Sequence, residues 1–430
     1  MLLEFSVENY LSFKDRVTLT TYASIRKNSE NNGVYYENGK INIRKSISIL
    51  GANASGKSNL LKAISFMKSF TFNSSRLSED GLIQDVDNFK LSSDCDGKAS
   101  FFEIVFVTDS NFIYPEKKRT IFRYGFTVSK QGVESEWLFG IFKKSEALLI
   151  FRQNDELKIG DYFKEGKKLK SLLGKINIKT LFLNQIFNIK GENAPITFSI
   201  FSWFRKVNNL TNLSNFNLMG ITGNLLKDER YKKKILDFLK IADVGIEEIF
   251  KVEEDITFPG NIISKNRVRF KTLHTKYGLG GEPVSKKEFD FSRNESQGTK
   301  RLFAILGPVI HAIEENYIIL IDEIDAMLHP HLITLIIGLF NSSNEERKSQ
   351  IIFTSHNTLF LKFNDFARDQ IYIVDKNKYG VSDLYSLSDI ENLRNDASFE
   401  KDYLLGKYGG VPYLGNIEEV FTDYKTNQDK

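Results

Sequence analysis

The segment that constrains this chain most is SISILGANASGKSNLLKAISFM, Ser46 to Met67. Ile47, Ile49 and Leu50 read as a short apolar strand, GANASGKS as a glycine-rich turn, and the remainder as an amphipathic helix. A strand feeding such a turn and then a helix N-terminus is the context a phosphate-binding loop requires. Gly51 and Gly56 let successive backbone N–H groups converge on an anion, because neither position has to accommodate a side chain. The expected nucleotide-binding residues are therefore Asn53, Ala54, Ser55, Gly56, Lys57, Ser58 and Asn59. Lys57 is placed to reach the β and γ phosphates of ATP, and the Ser58 hydroxyl to hold magnesium.

Three further motifs carry chemistry. In YIILIDEIDAMLHPHL, Tyr317 to Leu332, the buried-strand run Ile318 to Ile321 ends in Asp322 and Glu323. Open α/β sheets bind ligands at the carboxyl ends of their strands, where these two acids fall. Asp322 fits a magnesium contact, direct or through water, and Glu323 fits the base that polarises an attacking water. In SQIIFTSHNTLFL, a strand through Ile351, Ile352 and Phe353 exposes His356, which can bond the γ phosphate or that water. His329 and His331 read as packing at a helix start. In ESQGTKRLFAIL, Ser296 and Gly298 gather hydroxyl and N–H groups at another helix N-terminus. One subunit needs a single loop around its triphosphate, so this second anion site implies the partner's nucleotide and an ATP-sandwich homodimer, or a larger oligomer.

Composition sets the bounds. With 430 residues, 41% of them hydrophobic, the chain can bury a sizeable core, and a net charge of +4 neither demands nor excludes nucleic acid. Cys95 is the only cysteine, which excludes an intrachain disulfide and a thiolate-held metal. No 18 apolar residues run unbroken, and MLLEFSVENY carries acids where a signal peptide is basic, so a cytoplasmic protein without membrane contact is expected.

Along the chain, two strands flank a polar turn at Ser12 to Asp15 and could bring Asn9, Tyr10 or Lys14 near the nucleotide base. Arg26 to Arg44 reads as a loop or hairpin, and strand alternation recurs from Phe89 to Gly140. Residues 141–290 are expected to be a mixed, then mainly helical, insertion between an N-terminal lobe, 1–140, and a C-terminal lobe, 291–430. Within the insertion the basic run Arg230 to Lys234 reads as a solvated helix face, and Arg267 to Gly281 as a strand followed by polar chain from Pro283 to Arg293. No heptad repeat persists long enough for a coiled coil.

In this order the motifs resemble the ABC-type, AAA-family ATPases of prokaryotic defence systems, the RloA/AbiLi-like proteins, and more distantly the heads of SMC proteins. The likeness spans LLEFSVENYLSFKD, GANASGKSNLLKA at Gly51, YGF at Tyr124, ESQGTKRL at Glu295, IDEIDAMLHP at Ile321, TSHN at Thr354 and RNDASFEKDYLLGKYGGVPYL from Arg394 to Leu414. It implies an α/β fold, a P-loop NTPase of ABC ATPase head type with an antiparallel β-rich lobe and a mainly helical middle insertion. It also implies Lys57, Glu323 and His356 as catalytic, Ser58 and Asp322 on magnesium, Ser296 and Gly298 on the partner's ATP, and Phe89 to Leu91 as a γ-phosphate-sensing loop. ESQGT departs from the transporter signature LSGGQ, with Thr299 in place of glutamine, which weakens a transporter reading. Such families imply a separate effector, a toprim, nuclease or RloB-like protein, and a trigger that is DNA or a phage protein. The alternative function is an SMC-like or DNA-repair ATPase acting directly on DNA.

Overall fold

Each strand that ends in one of the three motifs nearest the phosphates lies in one sheet. The computed structural model describes residues 1–23, 34–37, 41–76, 82–84, 86–109, 119–142, 145–171, 177–211, 213–242, 245–258, 261–342, 347–358, 366–391, 393 and 399–412. Most of the expected loop from Arg26, and Arg394 to Ser398 of the tail motif, lie outside the described residues.

The chain opens with β1 (Leu2–Glu8), β2 (Val17–Thr20), the hairpin β3 (Val34–Glu37) and β4 (Ile41–Arg44), and β5 (Ser46–Leu50), which enters the glycine-rich loop. Helix α1 (Lys57–Asn73) leaves that loop and is followed by the meander β6 (Ser100–Asp109), β7 (Arg119–Val128), β8 (Val133–Ile141), β9 (Glu146–Gln153) and β10 (Glu156–Ile159). The middle holds α2 (Lys164–Lys170), α3 (Phe182–Lys190), α4 (Pro195–Arg205), β11 (Val207–Asn209), α5 (Asn215–Leu225) and α6 (Glu229–Ile241). Long strands β12 (Glu248–Phe258), β13 (Asn261–Tyr277) and β14 (Pro283–Asp290) lead through α7 (Phe291–Asn294) to α8 (Gln297–Glu314). The chain ends in β15 (Ile318–Ile321), α9 (Pro330–Asn341), β16 (Gln350–Thr354), β17 (Ile371–Lys376), β18 (Ser382–Ser386) and α10 (Phe399–Leu404).

The central sheet has the order β11-β15-β16-β5-β17-β18, parallel except for β18. Its strands β5, β15 and β16 are buried at every residue; β15 is apolar throughout, while β5 buries Ser46 and Ser48 between its apolar residues and β16 buries Gln350 and Thr354 at its ends. A second, antiparallel sheet has the order β10-β9-β8-β7-β6-β1-β2, and β7 alternates buried and half-buried residues over most of its length. Helix α1 lies in one hydrophobic core with both sheets: Phe66 and Phe70 meet Phe102 and Phe126 of the antiparallel sheet, and Leu60, Leu61 and Ile64 share the core with Ile47 and Ile49. The α/β class and the antiparallel lobe are those expected.

Polar groups fix the docking. The Gln350 side chain of β16 accepts from Leu2 N at 2.6 Å and donates to Leu2 O and Arg44 O at 3.1 Å, joining the two sheets inside the core. Glu136 of β8, fully buried, accepts from the first N–H groups of α3, Phe182 at 2.6 Å and Leu183 at 3.1 Å, and from the Tyr124 hydroxyl at 3.1 Å. Burial pushes its carboxyl up, while Arg152 and the two amides oppose the shift.

Several segments differ from expectation. The antiparallel sheet runs on past residue 140 through β9 and β10, and β11 joins the central sheet beside β15, so the middle segment is built into both lobes. Pro283 to Asp290 is the strand β14, held by its pairing with β13; six of its residues are exposed, leaving no apolar alternation to read. Strand β18 carries little apolar signal, because two of its buried positions are Ser382 and Ser386. The basic run of α6 keeps Arg230 and Lys233 exposed, in keeping with a solvated helix face, and makes surface ion pairs, Lys232 with Glu248, Arg230 with Glu315 and Lys234 with Glu314. Replacing Gln350 with Ala should cost about 2–4 kcal/mol, because the Leu2 and Arg44 groups stay buried without their partner. Urea unfolding should give a lower midpoint with an unchanged slope.

Candidate nucleotide-binding site

Strand β16 lies between β5 and β15, with Thr354 opposite Ile49 and Phe353 opposite Ile321. Three adjacent strands therefore release their motifs at one edge: the glycine-rich loop after Leu50, Asp322 and Glu323 after Ile321, and Ser355 and His356 after Thr354. The central strand supplies the link. Thr354 Oγ1 donates to Asp322 Oδ1 at 2.5 Å and accepts from Glu323 N at 2.8 Å, and Thr354 O accepts from Ile324 N at 3.1 Å.

Lys57 Nζ donates to Gly51 O at 2.7 Å and Ala52 O at 2.8 Å, and lies 3.4 Å from His356 Nδ1. His356 Nε2 is 3.8 Å from Glu323 Oε1, and His356 N donates to Asp325 Oδ2 at 3.2 Å. Lys57, Glu323 and His356 thus lie together, with Asp322 fixed beside them. Burial pushes the Lys57 ammonium down to about 8, while Asp322, Glu323 and Asp325 pull it back up. Ser55 Oγ and Asp325 Oδ1 are buried with no hydrogen-bond partner among the described residues.

Backbone strain gathers here. Among non-glycine residues with positive φ are Ala54 in the loop, Glu323 and Met327 after β15, and Asn9 and Leu11 in the turn behind the loop. Gly56 caps α1 at φ 114°, and a Cβ there would lie 2.5 Å from Ser382 Oγ and 2.6 Å from Ser12 Oγ. Both hydroxyls hold the loop: Ser382 Oγ donates to Ser55 O at 2.5 Å, and Ser12 Oγ accepts from Asn59 Nδ2 at 2.8 Å. Asn59 is thereby engaged by the protein itself, whereas Asn53 and Ala54 are exposed.

The tail reaches the same loop. Gly410, at φ 69°, donates to Asp375 Oδ1 at 3.0 Å and accepts from the Tyr403 hydroxyl at 2.8 Å. A Cβ on it would sit 2.6 Å from Ile373 Cγ2 and 3.5 Å from Gly51 Cα. The glycine-rich tail thus forms the backing of the phosphate loop.

Ser296 is exposed and caps α8, its hydroxyl accepting from Thr299 N at 3.0 Å. Gly298 packs against the carbonyl of Met327, just beyond Glu323. No contact between Ser296 or Gly298 and the glycine-rich loop occurs among the described hydrogen bonds. Asn9 and Tyr10 do not present themselves to a base: Asn9 is buried and bonded to Phe89 N, Lys98 O and Ala99 O, and Tyr10 packs on Phe66 and Phe102. Lys14 pairs with Asp94 at 3.0 Å. Phe89 is buried, so of the Phe89 to Leu91 segment only Lys90 and Leu91 are exposed, and Lys90 pairs with Asp87 at 2.8 Å. His329 caps α9, accepting from His331 N at 3.3 Å.

Sequence reasoning missed Thr354, Asp325, Ser12 and Ser382. Thr354 and Asp325 lie inside the quoted TSHN and IDEID motifs; the two serines come from distant segments and leave no local signal. The Ser58 hydroxyl and the Asp322 carboxylate are hard oxygen donors of the kind magnesium takes, and no cluster of three or more ligating side chains occurs among the described residues. Magnesium commonly takes one or two protein ligands and completes its shell with phosphate and water.

The family model described as AAA domain, putative AbiEii toxin, Type IV TA system matches residues 46–362. None of the curated proteins matches the chain. Among solved structures, the SmcHead bound to the C-winged helix domain of ScpA is 14% identical with a TM-score of 0.42, over 90% of this chain and 97% of that one. The SMC head domain from Thermotoga maritima is 12% identical with a TM-score of 0.39, over 90% and 98%.

Two outcomes are expected. Between about pH 8 and 10.5 the nucleotide-free fold binds fewer protons at Lys57 than the unfolded chain, so this group's contribution to stability rises with pH there. Phosphate prefers the ammonium, so ATP affinity runs the other way: it should fall above about pH 8, and Lys57→Met should remove that slope in a fluorescence titration. Gly410→Ala, strained at positive φ and pressed toward the loop, should raise the Kd for ATP by about three- to tenfold while leaving far-UV circular dichroism unchanged.

Proposed function

Since the chain belongs to the AbiEii-type AAA-domain family, we propose that it is a magnesium-dependent ATPase whose two catalytic sites form between subunits and whose output is a change of assembly. The observation that carries this reading is the meeting of Lys57, Asp322, Glu323 and His356 at the carboxyl ends of three adjacent strands. In it, the loop amides and Lys57 bind the β and γ phosphates. Ser58 and Asp322 hold magnesium, which neutralises phosphate charge. Glu323 accepts the proton of the attacking water, and His356, set between Lys57 and Glu323, bonds the γ phosphate and reports its presence.

Ser296 and Gly298 complete the site of the facing subunit. The exposure of Ser296, whose hydroxyl among the described hydrogen bonds meets only Thr299 of its own helix, supports that assignment. Gly298 packed on Met327 joins this helix start to the segment carrying Glu323, so closure and catalysis move together. An ATP-closed homodimer that opens on hydrolysis is a switch suited to controlling a separate effector, a toprim, nuclease or RloB-like protein, in a cytoplasmic antiviral system. No described helix is long and apolar enough to cross a membrane. Direct action on DNA in the manner of a coiled-coil protein is disfavoured, because the longest described helix, α8, has 18 residues and the segment before it is a three-stranded sheet.

Glu323→Gln should bind ATP but turn over at least about a hundredfold more slowly. Light scattering with ATP and magnesium should give this variant a dimer mass that persists, where the wild type gives a transient one. A monomer mass under both conditions, with ATP bound, would overturn the switch.

A further inference from the structure

The turn that presents Ser296 is short and mostly exposed. Helix α7 ends at Asn294, Glu295 and Ser296 are both extended, and α8 begins at Gln297. Ser292, Arg293, Asn294, Ser296 and Gln297 are all exposed. Glu295 is the exception, with its side chain only 7% exposed. A carboxylate drawn inward between exposed neighbours needs partners to offset its lost hydration, and β13 supplies them.

Thr272 Oγ1 donates to Glu295 Oε1 at 2.6 Å, and His274 Nε2 lies 2.7 Å from the same oxygen. A carboxylate accepts, so His274 donates from Nε2. The two donors stand two residues apart in one strand and therefore share a face. Phe270 is on that face too, and its ring packs on Phe291 of α7 and Phe303 of α8. Strand β13 thus grips both helices with a ring and the turn between them with two hydrogen bonds. The grip is itself fixed: β13 pairs with β12 on one side and β14 on the other, Thr272 is fully buried, and the His274 ring lies 4.8 Å from that of Phe289. Ser296 follows Glu295 directly, and beyond it Gly298 rests on Met327 O.

We propose that Glu295 is a positioning residue for the partner's site: held by Thr272 and His274, it fixes the start of α8 so that Ser296 meets the facing subunit's γ phosphate with little ordering left to do. It acts through Ser296 rather than on the nucleotide. The inference rests on the shared site proposed above. Displacing a binding group by about an ångström can cost about a hundredfold in turnover, so loss of this anchor is felt at the partner's site and not at the phosphate loop of its own chain.

The test places one substitution in either chain of a mixed dimer. One full-length chain carries Lys57→Ala and supplies the intact α8 start; the other carries Ser296→Arg and supplies the intact loop. ATP turnover of their equimolar mixture is the reference. Glu295→Ala added to the Lys57→Ala chain should lower it at least about tenfold, whereas the same change in the Ser296→Arg chain, whose α8 start is already blocked, should leave it within about twofold. Glu295→Gln keeps an acceptor oxygen for both donors and should retain at least about half of the reference turnover in either chain. Thr272→Val removes one donor and keeps the branched shape, so it carries the same chain-specific comparison, with a loss of about threefold, even where Glu295→Ala does not fold. Equal losses in the two chains, or no loss in the Lys57→Ala chain, overturn the positioning role and leave the shared site standing. A reference mixture no faster than the sum of its components contradicts the shared site, and this inference falls with it.

Discussion

The Thr354 hydroxyl, donating to Asp322 and accepting from Glu323 N, is the contact on which the geometry of the site depends. It can be made only because β16 is inserted between β5 and β15. That order sets the two acids one strand away from the phosphate loop and leaves the space between them to the end of β16, where His356 emerges. The backbone at Glu323 is held at φ 48°, an arrangement costly for a non-glycine residue, and the Thr354 bond to its N–H is one of the contacts that maintain it.

The loop itself is held from three directions. Ser12 comes from the antiparallel sheet's first turn, Ser382 from the edge of the central sheet, and Gly410 from the C-terminal tail. Helix α1 then carries the loop into a core shared by both sheets. A phosphate loop braced in this way is preorganised, with little ordering left to be done when an anion arrives. The same bracing means that movements of the antiparallel sheet or the tail reach the loop directly, which gives the proposed switch its mechanical route.

The motifs were legible because each is a short local pattern whose chemistry demands its own residue types. Strands β5, β15 and β16 are buried on both faces, and β15 and the centre of β16 announce themselves as apolar runs. What escaped the sequence was long-range or uncoded by hydropathy. Strand β14 is exposed along most of its length and exists through backbone pairing. Asn9 and Tyr10 sit near the loop as their place in the chain suggested, but their polar atoms and rings are used for packing. Ser382 and Gly410 reach the phosphate loop through contacts with residues more than three hundred positions away, which no local pattern records.

The most direct measurement is complementation between two inactive variants. Lys57→Ala keeps the α8 start but loses the phosphate loop's cation, and Ser296→Arg keeps the loop but blocks the α8 start. If the catalytic site is shared between subunits, an equimolar mixture regains one intact site in each mixed dimer, about a quarter of wild-type turnover for random pairing. If the mixture hydrolyses ATP no faster than the sum of its two components, while each variant still dimerises, the site is not shared and the sandwich is contradicted.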